Sequence, residues 1–464
     1  MVVSLLQFFL LSVFILCFTD LCISTTENSN NKNNDTVEYL KLPLHHRNPF
    51  PPSPSKALAS DSHRLSILFS ALHSKKTLRA PVISGASSGS GQYFVSFRVG
   101  TPPQKILLIA DTGSDLVWVK CSACRNCSRH QPGTSFFPRL STTFSPFHCY
   151  DPACRLVPHP PRIGRHCNKT RLHSTCRYQY SYADGSKTGG FFSKETTTLH
   201  TSSGRNAKLE NLAFGCGFNI SGNSVSGASF NGAHGVMGLG QGPISFSTQV
   251  GKKFGNKFSY CLMDYTISPP PTSYLLIGKG HETSIKKKPK MSFTPLLANP
   301  LSPTFYYIGI QSVKVDGIKL RINPSVWEFD GEGNGGTVID SGTTLAFLAE
   351  PAYIQILKAF ERRVKLPTIS DPALGFDFCV NVTDVKKLSL PRLSFEFVGN
   401  SVFSPPTANY FIDAAEDVKC LALQPVNSPT GFSVIGNLMQ QGFLFEFDRD
   451  ESRLGFSQHG CALP

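Results

Sequence analysis

Two aspartates stand in nearly identical surroundings at widely separated points of the chain. Asp111 opens an Asp-Thr-Gly-Ser turn between the apolar runs 106–110 and 116–119, and Asp340 opens an Asp-Ser-Gly-Thr turn that leads into the apolar run 345–348. An unpaired carboxylate between two buried strands is costly, although a single turn of this kind is also explained by a structural Asx-turn. Because the pattern occurs twice, the sequence predicts a duplicated half-site in which two carboxylates meet.

The chemistry available to such a pair is general acid–base catalysis. Two carboxylates close together in a dry cleft share one proton, because both cannot ionise easily. The ionised group can then accept a proton from water while the protonated group polarises an amide carbonyl. Gly113 and Gly342 would let the two backbones approach, and Ser114 and Thr343 are placed to hold the outer carboxylate oxygens. This reaction needs no metal, thiol or cofactor, and none is expected.

Two other catalytic interpretations are weaker. A glycosidase also uses two carboxylates, but its pair lies farther apart in unlike surroundings, because one group must act alone as the acid. The matching settings of Asp111 and Asp340 argue for symmetry instead. Residues 85–89 read Gly-Ala-Ser-Ser-Gly, which matches a serine nucleophile pattern. This match is rejected because no strand precedes it and it lies in a Gly/Ser-rich run.

Composition favours short strands and frequent turns over long helices. Only 16% of the 464 residues are charged, while 38 are glycine, 36 phenylalanine and 33 proline. A chain of this length can bury more than one core, so two lobes are expected. The formal net charge of +14 is compatible with binding to nucleic acid or to an anionic surface, and equally with a contribution to solubility alone. We expect no nucleic-acid binding, and interpret the basic run 286–290 as a solvated loop.

The first 89 residues are expected to be removed during maturation. The apolar run 5–18 is too short to span a bilayer and fits a signal peptide of residues 1–24, cleaved after Ser24. Residues 25–89 are rich in Asn, Ser and Pro, and are interpreted as a pro-segment, with a disordered linker as the alternative. The secreted form is then expected to start between residues 81 and 91.

Cysteine usage indicates an oxidising compartment. Two of the 14 cysteines leave with the signal peptide, so 12 remain, which fits six disulfides and no free thiol. Cys121, Cys124 and Cys127 have spacing that suggests an iron–sulfur site, but the next cysteine, Cys149, is not at the ferredoxin distance. No His-Glu-x-x-His zinc motif is present either. Disulfides are therefore the favoured interpretation.

Further elements belong with the two aspartates. Residues 178–192 predict a β-hairpin around an Asp-Gly turn, and the aromatic tip at Tyr182 suggests a lid over a cleft, with a cross-strand tyrosine pair as the alternative. The apolar strands 235–240 and 433–437 contain glycine, and each lies downstream of one Asp turn. Residues 351–364 predict a helix with proline in its first turn and one apolar stripe.

This ordered set of motifs, from Gln92 to Cys461, resembles the pepsin-like aspartic proteases. The cysteine-rich insert after Trp118 resembles the plant branch of that family, the nepenthesin-like proteases. The resemblance implies an all-β, bilobal pepsin-like fold with two related β lobes, the active-site cleft between them and few short helices. The N-terminal lobe, with the cysteine-rich insert and the flap, would span 90–295, and the C-terminal lobe 296–464.

The resemblance also implies residue roles. Catalysis would rest on Asp111 and Asp340, while Tyr182 on the flap would close on substrate and Trp118 would orient it. The residues implied for the flap, for substrate binding and for support of the dyad are Tyr182, Trp118, Gly113, Ser114, Gly342 and Thr343. The implied disulfides are Cys121–Cys124, Cys127–Cys216, Cys149–Cys176, Cys154–Cys167, Cys261–Cys461 and Cys379–Cys420.

The sequence therefore predicts a secreted aspartic endopeptidase, made as a zymogen, that hydrolyses polypeptides at acidic pH. A monomer inhibited by pepstatin-type compounds is expected, without a membrane anchor, in the apoplast or cell wall, with the vacuole as the alternative. Glycosylation is expected at Asn168, Asn219 and Asn381. The competing function is a non-catalytic pepsin-fold inhibitor or binding protein of cell-wall hydrolases. Such relatives typically have degraded Asp turns or flap, and both turns are intact here.

Overall fold

The computed structural model describes most of the chain between residues 93 and 458, with a few positions outside it. The described residues are 39–46, 58, 61, 93–125, 135–160, 167, 170, 174–181, 187–201, 203–221, 233–264, 272–278, 290–386, 388–426, 428, 431–458 and 461, with the side chains of 46, 123–125 and 181 excepted. The predicted signal peptide, the flap tip with Tyr182, residues 286–289 of the basic run and the acceptor Asn168 lie outside them.

Strands dominate the described chain, as the composition predicts. Up to residue 295 the strands are β1 (Leu40–His46), β2 (Tyr93–Val99), β3 (Gln104–Asp111), β4 (Trp118–Arg125), β5 (Ser145–Pro146), β6 (Arg177–Ser181), β7 (Lys187–His200), β8 (Asn206–Ser221), β9 (Gly235–Gly238), β10 (Lys257–Cys261), β11 (Ser273–Ile277) and β12 (Ser292–Pro295). The α-helices are α1 (Phe246–Phe254), α2 (Glu350–Arg363) and α3 (Asn437–Gln440).

The remaining strands follow the same short pattern. They are β13 (Tyr307–Ile308), β14 (Ile310–Val315), β15 (Ile318–Lys319), β16 (Thr337–Ile339), β17 (Ala346–Ala349), β18 (Thr368–Ile369), β19 (Cys379–Asn381), β20 (Leu393–Phe397), β21 (Ser401–Phe403), β22 (Phe411–Ala415), β23 (Val418–Leu421), β24 (Leu423–Val426), β25 (Ser433–Ile435), β26 (Leu444–Asp448) and β27 (Arg453–Ser457). Short 3-10 helices cover Pro138–Leu140, Pro152–Leu156, Pro324–Trp327, Pro372–Leu374 and Thr407–Asn409.

One large sheet joins the two halves of the chain. Its order is β12-β27-β26-β10-β11-β1-β2-β3-β9-β4-β8-β7-β5, with β6 paired to β7. Strands β26 and β27 from the C-terminal end therefore lie among strands of the first half. At this seam Lys257 of β10 contacts Glu446 at 3.2 Å and Asp448 at 3.1 Å. Burial acts to raise the pKa of Asp448, but the hydrogen bonds and charge of Lys257 hold it below its usual value.

The two Asp turns lie in a repeated strand arrangement. Strand β3 runs parallel to β9, with Asp111 opposite Gly238, and β16 runs parallel to β25, with Ile339 opposite Ile435. The strand after each turn, β4 or β17, then pairs antiparallel with the same neighbour, β9 or β25. Both predicted strands are thus confirmed beside the Asp turns, although β25 ends at Ile435 and Gly436 directly follows it.

The predicted helix and hairpin are also confirmed. Helix α2 begins with Glu350 and Pro351, and its inward face buries Ala352, Tyr353, Ile356, Ala359 and Phe360. Strands β6 and β7 form the hairpin, with Tyr178 opposite Gly190.

Strand β1 was not foreseen, because it lies inside the segment interpreted as a pro-segment. It pairs with β11, with Leu42 opposite Leu275, and with β2, with Leu44 opposite Val95. Leu40, Leu42 and Leu44 are buried. The alternation of apolar residues is a strand signal that the Asn- and Pro-rich composition of the segment obscured.

The structure corrects four of the six implied disulfides. Cys261–Cys461 and Cys379–Cys420 are confirmed. Cys121 is bonded to Cys216, because β4 runs parallel beside β8 and brings their Cα atoms to 5.6 Å. The implied pairings Cys121–Cys124 and Cys127–Cys216 are therefore wrong.

The other correction concerns the cysteine-rich insert. Cys154 lies in a 3-10 helix with its Cα 5.7 Å from that of Cys176, and Cys149 lies 5.9 Å from Cys167. The pairings Cys149–Cys176 and Cys154–Cys167 are therefore wrong, and the partners are exchanged. The side chains of Cys124 and Cys127 lie outside the described residues, so a sixth disulfide stays a prediction.

Candidate active site

Asp111 and Asp340 are both buried at the ends of their strands. Asp111 is the last residue of β3, Asp340 directly follows β16, and their exposed fractions are 0% and 1%. In each turn the glycine N–H donates back to one carboxylate oxygen. Gly113 N lies 3.1 Å from Asp111 Oδ1, and Gly342 N lies 2.9 Å from Asp340 Oδ1. The main chain of each turn thus fixes the orientation of its own carboxylate.

A hydroxyl holds the second oxygen of each carboxylate. Ser114 Oγ donates to Asp111 Oδ2 at 2.6 Å, and Thr343 Oγ1 donates to Asp340 Oδ2 at 2.6 Å. These are the short distances of charge-assisted hydrogen bonds to a carboxylate. The predicted placement of both hydroxyls is confirmed, and the two halves use the same set of donors.

Thr112 and Ser341 tie the two turns to each other. Thr112 Oγ1 accepts from Ser341 N at 2.9 Å and donates to Ile339 O at 3.4 Å. Reciprocally, Ser341 Oγ accepts from Thr112 N at 3.1 Å and donates to Ala110 O at 3.1 Å. Both side chains are buried. This reciprocal bridge holds the two aspartates side by side, although the turns are far apart in sequence.

The role of this bridge is not predicted from the sequence. The available signal was the hydroxyl residue that directly follows the aspartate in both turns. Its function depends on a contact across 229 residues, which no local pattern specifies.

Asp115, directly after Ser114, forms a further link between the halves. Its carboxylate accepts from Gly242 N at 2.8 Å and from Thr304 Oγ1 at 2.7 Å. Burial raises the pKa of the Asp115 carboxyl, and the hydrogen bonds from Thr304 and Gly242 oppose that shift only in part. The sequence does not predict this role for Asp115, since an acidic residue after a turn is usually solvated.

The base of the predicted flap is packed around aromatic side chains. Trp118 on β4 is fully buried, and Tyr178 on β6 is 1% exposed. A Cβ on Gly215 of β8 would lie 2.7 Å from Tyr178 Cζ, so this ring requires glycine at that position. Tyr182 lies outside the described residues, so its closing over substrate and its orientation by Trp118 stay predictions.

Asp61, from the segment interpreted as a pro-segment, contacts the second Asp turn. Its carboxylate oxygens accept from Thr344 N at 3.1 and 3.0 Å, and one of them also accepts from Leu345 N. Asp61 is only 2% exposed. Nearby, Leu58 packs against the core so closely that a Cβ on Gly375 would lie 2.7 Å from Leu58 Cδ2. Composition alone gave no indication of this docking.

A mostly β chain with two such turns, bonded to each other and to matching hydroxyls, defines the class of pepsin-like aspartic proteases. The family models that match are the N-terminal and C-terminal xylanase-inhibitor models, over residues 93–279 and 305–458. The chain is 39% identical to aspartyl protease family protein 2 of Arabidopsis thaliana, over 82% of this chain and 73% of that protein. It is 34% identical to nepenthesin-2 of Nepenthes gracilis, over 88% and 85%.

Solved structures show the same fold at lower identity. Basic 7S globulin from soybean superposes with a TM-score of 0.64 at 18% identity, covering 92% of this chain and 99% of that one. Conglutin gamma from lupine seeds gives a TM-score of 0.60 at 19% identity, covering 81% and 93%. The protein belongs to the plant nepenthesin-like family of pepsin-like aspartic proteases, and it is an aspartic-type endopeptidase that acts on polypeptides. No helix within the described ranges is long and apolar enough to cross a membrane.

Proposed function

We propose that this enzyme is secreted and hydrolyses polypeptides at acidic pH, with water activated between Asp111 and Asp340. The observation that carries the proposal is the matched holding of the two carboxylates. Each has one oxygen bound by a main-chain N–H and the other by a hydroxyl. Two carboxylates held alike in this way are suited to sharing a proton.

The reaction proceeds in two balanced steps. The ionised aspartate removes a proton from water as the water oxygen attacks the carbonyl carbon, while the protonated aspartate gives its proton to the carbonyl oxygen. The tetrahedral intermediate then breaks its C–N bond. The leaving nitrogen takes a proton from the aspartate that had received one, while a hydroxyl of the intermediate gives its proton to the other aspartate and becomes the new carbonyl. The bridge between Thr112 and Ser341 keeps the two carboxylates at a fixed separation during both steps.

The proposal predicts a pH-dependent, pepstatin-sensitive peptidase. Hydrolysis of an unfolded protein should be fastest between about pH 3 and 5 and fall towards neutral pH, because both carboxylates ionise and the shared proton is lost. A pepstatin-type inhibitor should abolish the activity. The assay compares the wild type with Asp111→Asn across this pH range, and a wild type that cleaves no better than this variant would refute the proposal.

A binding function is the second candidate, since both matching family models are named for xylanase inhibitors. The complete hydrogen-bond set of both aspartates favours catalysis, because a binding surface does not require two carboxylates arranged to share a proton. Tight binding to a xylanase-type hydrolase, together with no pepstatin-sensitive cleavage, would favour the inhibitor.

We further propose delivery to the apoplast or cell wall, with the vacuole as the alternative. The described disulfides support an oxidising route. Residues 1–24 would supply the signal peptide. Asn219 is exposed and Asn381 is partly exposed, which supports both as glycosylation sites.

We also propose that residues 25–89 form a removable pro-segment anchored by Asp61. Thr344, whose N–H binds Asp61, is the residue after the Thr343 that holds Asp340, so a segment docked there lies beside the catalytic pair. Removing it frees two N–H groups at the edge of the site for substrate. The secreted form would then begin between residues 81 and 91.

This anchor predicts that Asp61→Ala raises the activity of the unprocessed chain. Losing hydrogen bonds to a charged acceptor should weaken docking enough for about a tenfold increase in initial rate. The rate is measured before cleavage appears on a gel, and the N-terminus is then sequenced. Asp371→Ala is the control, because Asp371 is exposed and caps a surface 3-10 helix. Equal rates for the unprocessed wild type and Asp61→Ala would contradict the anchor.

A further inference from the structure

The main chains of the two catalytic aspartates are held differently, although their carboxylates are held alike. In the first half, Leu239 N donates to Asp111 O at 2.8 Å, because the chain continues beside the turn after β9. The parallel registers place Asn437 at the equivalent position of the second half. Asn437 begins helix α3 instead, and its N–H donates to Thr343 O at 2.7 Å. The strand-type bond to the aspartate carbonyl is therefore not repeated.

A side chain reaches that carbonyl in the second half. Gln440, the last residue of α3, is fully buried, and its Nε2 lies 3.3 Å from Asp340 O and 2.8 Å from Ile435 O. Ile435 O also accepts from Asp340 N at 3.2 Å. The amide of Gln440 thus holds the Asp340 main chain against the neighbouring strand β25.

Tyr260 fixes the orientation of that amide. Its hydroxyl donates to Gln440 Oε1, so the amide nitrogen must point at the two carbonyls, and a flipped amide would set oxygen against oxygen. Burial, and then the charge of Asp340, raise the pKa of Tyr260 well above its usual value. The hydroxyl therefore remains a donor throughout the acidic range. Since Tyr260 lies on β10, the first half of the chain supports the aspartate of the second.

We propose that Gln440, oriented by Tyr260, is a positioning residue for Asp340. Its amide takes the place of the main-chain donor that Asp111 has, and so a single side chain helps to set the position of the Asp340 main chain. The expected effect on kcat rests on the proposed function, whereas the expected effect on the Asp340 main chain does not.

The test compares Gln440→Met with Gln441→Met. Methionine is close to glutamine in size and cannot donate to Asp340 O. We expect kcat to fall about tenfold or more, with KM changed less than about twofold, because a small displacement of a catalytic group is costly. Gln441 is the matched control: it is also buried, but its Nε2 donates to Tyr93 Oη at 2.9 Å instead of to the main chain of an aspartate. Its variant should keep kcat.

A second variant, Gln440→Glu, gives a readout that a purely structural role would not change. When protonated, the new carboxyl can still donate to a carbonyl oxygen and accept from Tyr260. When ionised, it repels both carbonyl oxygens. Its activity should therefore fall at a lower pH than that of the wild type, by about one pH unit. An unchanged upper limb of the pH profile would contradict the proposal.

Hydrogen–deuterium exchange tests whether Gln440 holds the Asp340 main chain, and it does not depend on enzymatic activity. The Asp340 amide should exchange about tenfold faster in Gln440→Met than in the wild type or Gln441→Met, since its bond to Ile435 loses support. Equal exchange in both variants, or an equal loss of kcat in both, would overturn the proposal. An inactive wild type would refute the proposed function, while the exchange rates would still decide the role of Gln440.

Discussion

Replacing Asp111 or Asp340 by asparagine should lower kcat by about 10³-fold or more while leaving the fold intact. Asparagine keeps one oxygen for the glycine N–H of its turn, and its amide can be accommodated by rotation of the neighbouring hydroxyl. It cannot share a proton or accept one from water, so the acid–base step is lost. The two variants should be about equally inactive, because the residues act as a unit.

The control for these variants is Asp413→Asn. The Asp413 side chain is 77% exposed and pairs only at the surface with Lys419, an interaction of small energetic value. This variant should retain kcat within about twofold. Thermal unfolding of all three proteins shows whether the fold is kept. A well-folded Asp111→Asn that retains a tenth of wild-type activity would show that the aspartate pair is not the catalytic unit.

Local patterns predicted the elements that carry the site. The apolar runs around Asp111 and Asp340, the glycine strands β9 and β25, and the helix α2 all follow from residue periodicity and turn chemistry. The Asp turn occurs twice in similar apolar surroundings. Because burying an unpaired carboxylate costs free energy, this repetition predicted that the two carboxylates meet in one site. The hydroxyls of Ser114 and Thr343 were predictable for the same reason, since they belong to the turns themselves.

Contacts between distant segments could not be predicted in this way. Cys121 bonds Cys216 because two strands lie parallel, and the sequence does not specify which strands are neighbours. The docking of Asp61 on Thr344 and of Tyr260 on Gln440 likewise spans 283 and 180 residues. Each depends on the assembled fold.

These distant contacts also show where the two halves of the site differ. Duplication explains why each carboxylate has a glycine N–H and a hydroxyl. It does not explain the side-chain amide of Gln440 at the carbonyl of the second turn, or the Asp61 carboxylate on its N–H groups, which the described residues show. Contacts from outside the repeat therefore reach the second Asp turn.

Breaking the reciprocal bridge between the turns should lower both the stability of the protein and its kcat. Thr112→Val keeps the shape of the side chain but removes the acceptor for Ser341 N and the donor to Ile339 O. Leaving buried polar groups without partners should lower the free energy of unfolding by about 1–3 kcal/mol. It should also lower kcat by about 10²-fold, because the two carboxylates are no longer held at one separation. Chemical unfolding and steady-state kinetics measure the two effects.

Separating the loss of stability from the loss of positioning requires a second buried threonine. Thr197 is fully buried, and its hydroxyl donates to Arg98 O at 2.7 Å on strands away from both turns. Thr197→Val should therefore cost similar stability but leave kcat unchanged. In a double-mutant cycle, Thr112→Val and Ser341→Ala should be less than additive, since each breaks the same bridge. Additive effects, or an equal loss of kcat in Thr197→Val, would mean that the bridge supports the fold without positioning the aspartates.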